Sequence, residues 1–571
     1  MTRVGFTVAF VALALASGER SGVGGVQGQT VHDTLTFTKD VAPIFYRHCA
    51  SCHHPGGRAP FSLLTYEDVA GRARLIAAVT ERRTMPPWQP EPGYAQFVGE
   101  RRLSDAEIAV VRRWVESGSV EGLATDLPAA PEWEAGWLLG EPDLIVELPA
   151  YTVPARGRDR YRNLVVPIPL SEARYVSSVE LRPGHPRVVH HARMMVDTTS
   201  SSRLFDEQDP APGFDGMDIV SDADNPPGHF VGWTPGRVPF RGTDEIAWPL
   251  RPGTDLVIQL HLRPTGQPEL VRAEVGFHFA ERPPSNATAL VMLGSYDLDI
   301  PPGASDYLVT DTYELPVDVE TLGVYPHAHF LGREIWGFGT LPNGTREWLI
   351  RIDNWDFNWQ DEYRYTKPIP LPKGTTLTMR WVYDNSADNP RNPNHPPQRV
   401  VYGSLSSDEM SDLVIQVLPR NRSDLEILRR DLEWKYEISE VTYVARQEHA
   451  TGRELAEQGR YTEAIEHFRA ALRLKADDAE VYIGLAKALT SLGEFDAASA
   501  IAERAAGLTD YGDPVVLDGL AAVYSASGRA NQALRVARQA VALARAAGRD
   551  SLANAIHRRL ELYGQRNRNR H

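Results

Sequence analysis

A glycine recurs at positions 459, 493 and 528, in steps of 34 and 35 residues, and an alanine follows five residues after each, at 464, 498 and 533. A fixed period of this length confines the end of the chain to one small unit used several times over. The pattern around it reads helical, and Tyr461 and Phe495 stand two residues after the first two glycines. These repeats cover only about residues 445–548, so most of the 571 residues must fold as something else. At roughly 150 residues per domain, the length implies three to four domains.

The period resembles tetratricopeptide repeats. The resemblance implies helix pairs that bury their apolar faces only by stacking, here an α-helical solenoid over 445–565 with a capping helix at its end. It also implies docking of a protein partner, or self-association, because such repeats carry no chemistry of their own. A generic helical bundle is the plainer alternative.

Composition excludes several classes. Hydrophobic residues make up 42% and charged residues 24%, which is ordinary globular usage rather than a disordered or fibrous chain. Sixty basic against 75 acidic residues leave a net charge of −15, so no nucleic-acid partner is expected. The basic run after Ala555 reads as a solvated tail. Arg3, the apolar stretch 4–16, and Ala14-Leu15-Ala16 before Ser17 read as a signal peptide over residues 1–30. Thirteen apolar residues are too few to span a bilayer, and no later stretch approaches 18, so no stable membrane insertion is expected. The chain is expected to be exported, to a periplasmic or extracellular location.

Pattern divides the rest. Residues 31–125 read mainly helical, and Ser104 with Glu107 three residues on has capping-box spacing. Ile108, Val111 and Val115 then share one helical face, and Gly118 supplies the stop. A Pro/Ala/Gly-rich connector covers about residues 122–141. Residues 142–422 turn to period-2 apolar alternation, with strands expected at 256–262 and 377–383 and a hairpin from 335–340, Pro342-Asn343-Gly344 and 348–352. The break at Arg282-Pro283-Pro284-Ser285 gives two β-sandwich-like halves, 142–282 and 286–422. The expected fold is thus multidomain: an all-α domain, two β sandwiches and a helical solenoid.

The only cysteines, Cys49 and Cys52, lie in Cys49-Ala50-Ser51-Cys52-His53. An exported chain with at most one disulfide relies on ordinary cores, which leaves the two thiols for chemistry. The spacing matches the c-type haem attachment pattern: thiols one helical turn apart can attack two vinyl groups, and His53 falls under the iron as axial ligand. A thioredoxin-type redox pair needs a βαβ context that is absent here; a structural disulfide is the bland alternative. Met85, 32 residues after His53 in Arg83-Thr84-Met85-Pro86-Pro87-Trp88, is the candidate sixth ligand, with a core methionine as the alternative. With Trp114 on a terminal helix, the region 31–125 resembles small c-type cytochromes, which implies one covalently bound haem c. His48 and His54 are taken as bystanders.

Nine of the 17 histidines fall within 142–422. His190 and His191 are adjacent, so on a regular strand they point to opposite faces and need a bulge, or different ring nitrogens, to meet one metal. His261 lies inside an expected strand, where a lone histidine is commonly a satisfied core residue. His327 and His329, two apart, share a strand face. Each group alone is a weak signal.

Their order, followed by Asp408-Glu409-Met410, resembles the copper type II ascorbate-dependent monooxygenases, the peptidylglycine α-hydroxylating and dopamine β-monooxygenase family, over roughly 145–420. The resemblance implies two copper ions: one on His190, His191 and His261 for electron transfer, the other on His327, His329 and Met410 as the catalytic, oxygen-binding site. A thioether favours Cu(I). It further implies O2 and a small-molecule or peptide substrate whose C–H bond is hydroxylated, with ascorbate or another external reductant as electron donor; the fused haem suggests that electrons arrive through it. Where peptide-hydroxylating relatives carry Arg, Asn and Tyr to grip the substrate carboxylate, this chain has Tyr325, Asp412 and Val414, so a C-terminal glycine peptide is not expected. A non-enzymatic haem/copper electron-transfer scaffold, with the repeats recruiting partners, is the alternative.

Overall fold

A computed structural model describes residues 34–568, apart from 56, 58, 132–135, 186, 217–221, 235, 236, 238 and 404. The expected signal peptide at 1–30 lies outside the described residues. Among the described residues, no helix is long and apolar enough to cross a membrane.

The N-terminal region contains helices Ala42–His48, Tyr66–Ala70, Ala73–Glu81 and Asp105–Glu116. The last opens with the expected capping box: the Ser104 hydroxyl accepts the Glu107 N–H while the Glu107 carboxylate accepts the Ser104 N–H. Val111 and Trp114 of this helix are fully buried, with Ile108 and Val115 half-buried beside them, around a core of Phe37, Val41 and Phe45.

The central region holds antiparallel strands in several sheets, consistent with β domains. Before the break at 282–285, a five-stranded sheet runs in the order Phe214–Asp215, Arg160–Pro167, Asp255–Leu262, Val189–Asp197, Val231–Trp233. A four-stranded sheet built on Glu274–Phe279 and Arg174–Arg182 shares its core, which includes Val176, Phe277, Leu256 and Met194. After the break, two four-stranded sheets enclose a second core containing Trp355, Trp381, Leu413 and Ile415. The expected hairpin is present as Gly332–Thr340 and Arg346–Ile352, turning at Gly344 with φ +83°.

Helix Arg422–Glu457 joins this block to the C-terminal one. Its first turns place Leu425, Leu428 and Leu432 in the core of the second β half, and Leu455 belongs to the repeat core. Paired with Tyr461–Leu474 it begins the repeats, followed by the pairs Ala479–Ser491 with Phe495–Leu508 and Pro514–Ala526 with Ala530–Ala546, then Asp550–Arg568. The three period-marking glycines sit between the helices of each pair at φ +78°, +83° and +78°, a left-handed turn that glycine adopts without strain.

Candidate metal centres

Strand Val189–Asp197 lies antiparallel to Asp255–Leu262 with His191 opposite His261, and the register shifts between Val189 and His191. That bulge removes the obstacle foreseen for an adjacent pair, since the extra residue lets His190 turn toward the same point as His191. His190 Nδ1 stands 3.2 Å from His191 Nδ1, which is 3.4 Å from His261 Nδ1. Donor atoms of all three residues lie within 4.8 Å of one another. Three imidazole nitrogens facing each other at these distances could share one cation. Burial pushes the His191 imidazole well down, and the neighbouring histidines add to it, so it is neutral as a ligand must be. On the far side of its ring, His261 Nε2 meets Asp159 Oδ2 at 3.1 Å, and Tyr161 stacks on the ring at 4.4 Å and 9°. A carboxylate behind a ligating imidazole fixes its tautomer and orientation.

The second pair is assembled differently from the strand reading. Strand Val319–His327 ends at His327, opposite Asp412, so His329 lies beyond the strand and shares no strand face with it. The buried Glu409 carboxylate holds the turn instead, accepting the N–H groups of His329 at 2.8 Å and Leu331 at 2.6 Å. His329 Nδ1 is tied to the Asp408 carbonyl at 3.0 Å, leaving Nε2 buried with no hydrogen-bond partner among the described residues. His327 Nδ1 is bonded to the Gln360 side-chain oxygen, and the two rings lie 5.2 Å apart at 82°. Burial lowers His327 to about 4 and His329 to about 3. An imidazole held through one nitrogen with the other buried and unsatisfied has a nitrogen able to take a metal. The same Glu409 oxygen that holds His329 also accepts the Met410 N–H at 3.2 Å, and Tyr383 donates its hydroxyl to the Met410 carbonyl at 2.6 Å. The backbone of Met410 is therefore pinned to the carboxylate that pins His329.

Tyr325 and Asp412 lie beside this pair, Tyr325 with its ring 6.2 Å from that of His327 and Asp412 opposite His327 in the sheet. Tyr325, stacked on Phe230 at 4.2 Å, faces Val414 across the sheet. Asp412 is pushed up to about 7 by burial, opposed by the positive charge of Arg193. The 384–393 segment is a braced loop: Asn385 donates to the carbonyls of Ile300, Pro301 and Gln398 and accepts from Asn392.

One short turn links these clusters to the N-terminal region. The Phe357 ring lies 6.4 Å from that of His190 and 5.4 Å from that of His329. Trp359 lines a cavity of about 740 Å³ whose other walls include Cys49, Cys52, His53, Phe61, Met85, Val189 and His190. The two cysteines are free thiols, and burial pushes that of Cys49 up to about 12. His53 Nδ1 lies 3.0 Å from the Phe61 carbonyl, so that bond engages Nδ1 and not Nε2. His48 is paired with Glu107 at 3.2 Å. His190 thus belongs both to the three-histidine cluster and to the wall of the cysteine cavity, a juxtaposition that the sequence left open. Asp159, Gln360 and Phe357 escaped the sequence reading, and Glu409 entered it only as a neighbour of Met410, without a role.

A family model for tetratricopeptide repeats matches residues 455–510. The C-terminal region therefore contains repeats of that class. No curated protein matches the chain. Among solved structures, PcrH from Pseudomonas aeruginosa is 26% identical, covering 21% of this chain and 91% of its own, with a TM-score of 0.20. The TPR2B domain of yeast Sti1, solved in a complex with pHsp70, is 21% identical over 21% of this chain and 96% of its own, at 0.20. The Yersinia enterocolitica translocator chaperone SycD is 20% identical over 21% and 88%, at 0.19.

Proposed function

We propose that the chain is an exported copper-dependent monooxygenase with a c-type haem as its electron input. The observation that carries the reading is the bulged His190-His191 pair converging with His261, one aromatic ring away from the buried, unsatisfied Nε2 of His329. His190, His191 and His261 would hold one copper; His327, His329 and Met410 would hold the other. Copper bound there would supply one-electron chemistry and oxygen activation toward a substrate C–H bond. Asp159 orients His261, the Asp408 carbonyl and Glu409 orient His329, and Gln360 orients His327. The Phe357 ring stands between the two clusters, 6.4 Å from His190 and 5.4 Å from His329.

Cys49 and Cys52 would carry the haem covalently, with His53 and Met85 as iron ligands, a reading supported by the shared cavity and by the Phe61 carbonyl behind His53. Ascorbate or another external reductant supplies the electrons. Tyr325, Asp412 and Val414 remove the carboxylate grip of peptide-hydroxylating relatives, so the substrate is a small molecule or a peptide bound by other means. The repeats would dock a protein partner.

The test is iron and copper per chain after expression with haem maturation and copper loading under reducing conditions. One iron and two coppers are expected, with oxygen uptake stimulated by a C–H substrate. One iron without tightly bound copper would leave an electron-transfer scaffold.

A further inference from the structure

The cysteine cavity is closed by side chains from outside the N-terminal helices, and three are arginines: Arg101, Arg187 and Arg263. Arg101 is engaged with Asp361 at 3.2 Å. Arg187 and Arg263 leave from neighbouring strand ends of the first β half, where the Arg263 N–H donates to the Val188 carbonyl at 2.9 Å. The Arg263 side chain is half exposed, and its Nε lies 3.6 Å from Asp159 Oδ2, the carboxylate that also bonds His261.

A haem joined to Cys49 and Cys52 brings two carboxylate side chains into this space. Arg187 is exposed and Arg263 half exposed where they line this cavity, and the guanidinium fork matches a carboxylate in shape as well as charge. We propose that Arg187 and Arg263 bind the carboxylates of this haem, so that the haem site is built by two parts of the chain and the haem fastens the N-terminal helical region to the first β half. The proposal rests on the haem reading above. It also gives Asp159 a double position, between an arginine that grips the haem and a histidine of the three-nitrogen cluster.

The test is the haem reduction potential of the full-length, haem-bearing, copper-free protein. Positive charge near the iron disfavours the ferric form, and removing it leaves the carboxylates uncompensated, so both effects have one sign. Arg187→Gln with Arg263→Gln is expected to shift the ferric-to-ferrous ratio at fixed poise about tenfold toward ferric, equal to about 59 mV for one electron. Arg187→Lys with Arg263→Lys keeps the charge and should stay near the parent. Either single glutamine variant, expected to shift the ratio about threefold, serves if the double variant does not fold. An attached haem whose ratio stays within twofold of the parent overturns the arginine proposal and leaves the cytochrome reading standing. A matured chain with no covalent haem overturns both.

Discussion

Gln89 and Asp356 pair reciprocally: the Gln89 side-chain oxygen accepts the Asp356 N–H at 2.6 Å, and Gln89 Nε2 donates to the Asp356 carbonyl at 3.2 Å. The same Nε2 reaches the Trp359 carbonyl at 2.7 Å. One amide therefore joins the segment after Met85 to the turn that presents Phe357 to both histidine clusters, Trp359 to the cysteine cavity and Gln360 to His327. The N-terminal region is thus bonded to the turn between the clusters.

Gln89→Ala removes three bonds from a partly buried site, where leaving such groups unpaired costs about 1–3 kcal/mol. Amide exchange at residues 356–361 should rise about tenfold, the factor that corresponds to roughly 1.4 kcal/mol, while residues 461–546 keep their protection. Unchanged exchange at 356–361 would show that the turn holds its place without Gln89.

Asp159→Ala strips the carboxylate from behind His261. Loss of such a partner weakens metal binding by about 10- to 100-fold. Competition with a copper chelator should show that loss for one copper, with the second copper proposed on His327, His329 and Met410 unaffected. Equal weakening of both would mean that the clusters are not independent sites.

Much of this was legible in the sequence, and the remainder has physical reasons. The capping box at Ser104, the hairpin at Gly344 and the repeat glycines are local signals, each set by backbone geometry within a few residues. His327 and His329 were read as one strand face because a period of two is all that spacing can convey. The strand stops at His327 because Glu409, eighty residues away from His329, captures the turn, and a tertiary carboxylate leaves no periodic trace. The bulge at His190 could be posed as a requirement but not located, since it depends on register with His261. Asp159 and Phe357 sit in segments without metal-ligand spacing, and only the folded chain brings them to the clusters.

His329→Ala tests the second cluster: it removes the ring and its bond to the Asp408 carbonyl, while Glu409 still holds the backbone of residue 329. Bound copper should fall from two to one per chain, and substrate-stimulated oxygen uptake should vanish. Full turnover in this variant would remove His327, His329 and Met410 as the oxygen site.

His229 lies where the two β halves meet: its Nε2 donates to the Ile246 carbonyl at 3.0 Å and its Nδ1 accepts from Gln416 at 3.2 Å. Burial, helped by the charge of Arg364, lowers it from 6.5 to about 4. A histidine held neutral in the fold and protonated on unfolding favours the native state fully above pH 6.5. The advantage shrinks as pH falls from 6.5 to 4 and is gone below, a loss of about 3 kcal/mol at roughly 1.36 kcal/mol per unit. Urea unfolding of the metal-free protein, followed by tryptophan fluorescence, should show a decline shared with His191, His327 and His329, which burial lowers as well, and His229→Gln should make it shallower by about 3 kcal/mol. A parallel decline in the variant would assign the acid sensitivity to other groups.

Met85→Ala separates a ligand from a packing residue. Met85 lines the cavity with His53, Cys49 and Cys52, and either role would place it there. An axial thioether raises the haem potential relative to bis-histidine ligation, so its loss as a ligand lowers the potential and alters the haem absorption bands. A packing role predicts weaker stability with the potential little changed. Copper content should stay at two per chain in both cases, because the residues of the two clusters come from the β halves. If electrons reach copper through the haem, copper reduction by an external donor should slow in proportion to the loss of ferrous haem at that poise. A lowered potential with unchanged copper reduction would keep Met85 as a ligand and send the electrons by another route.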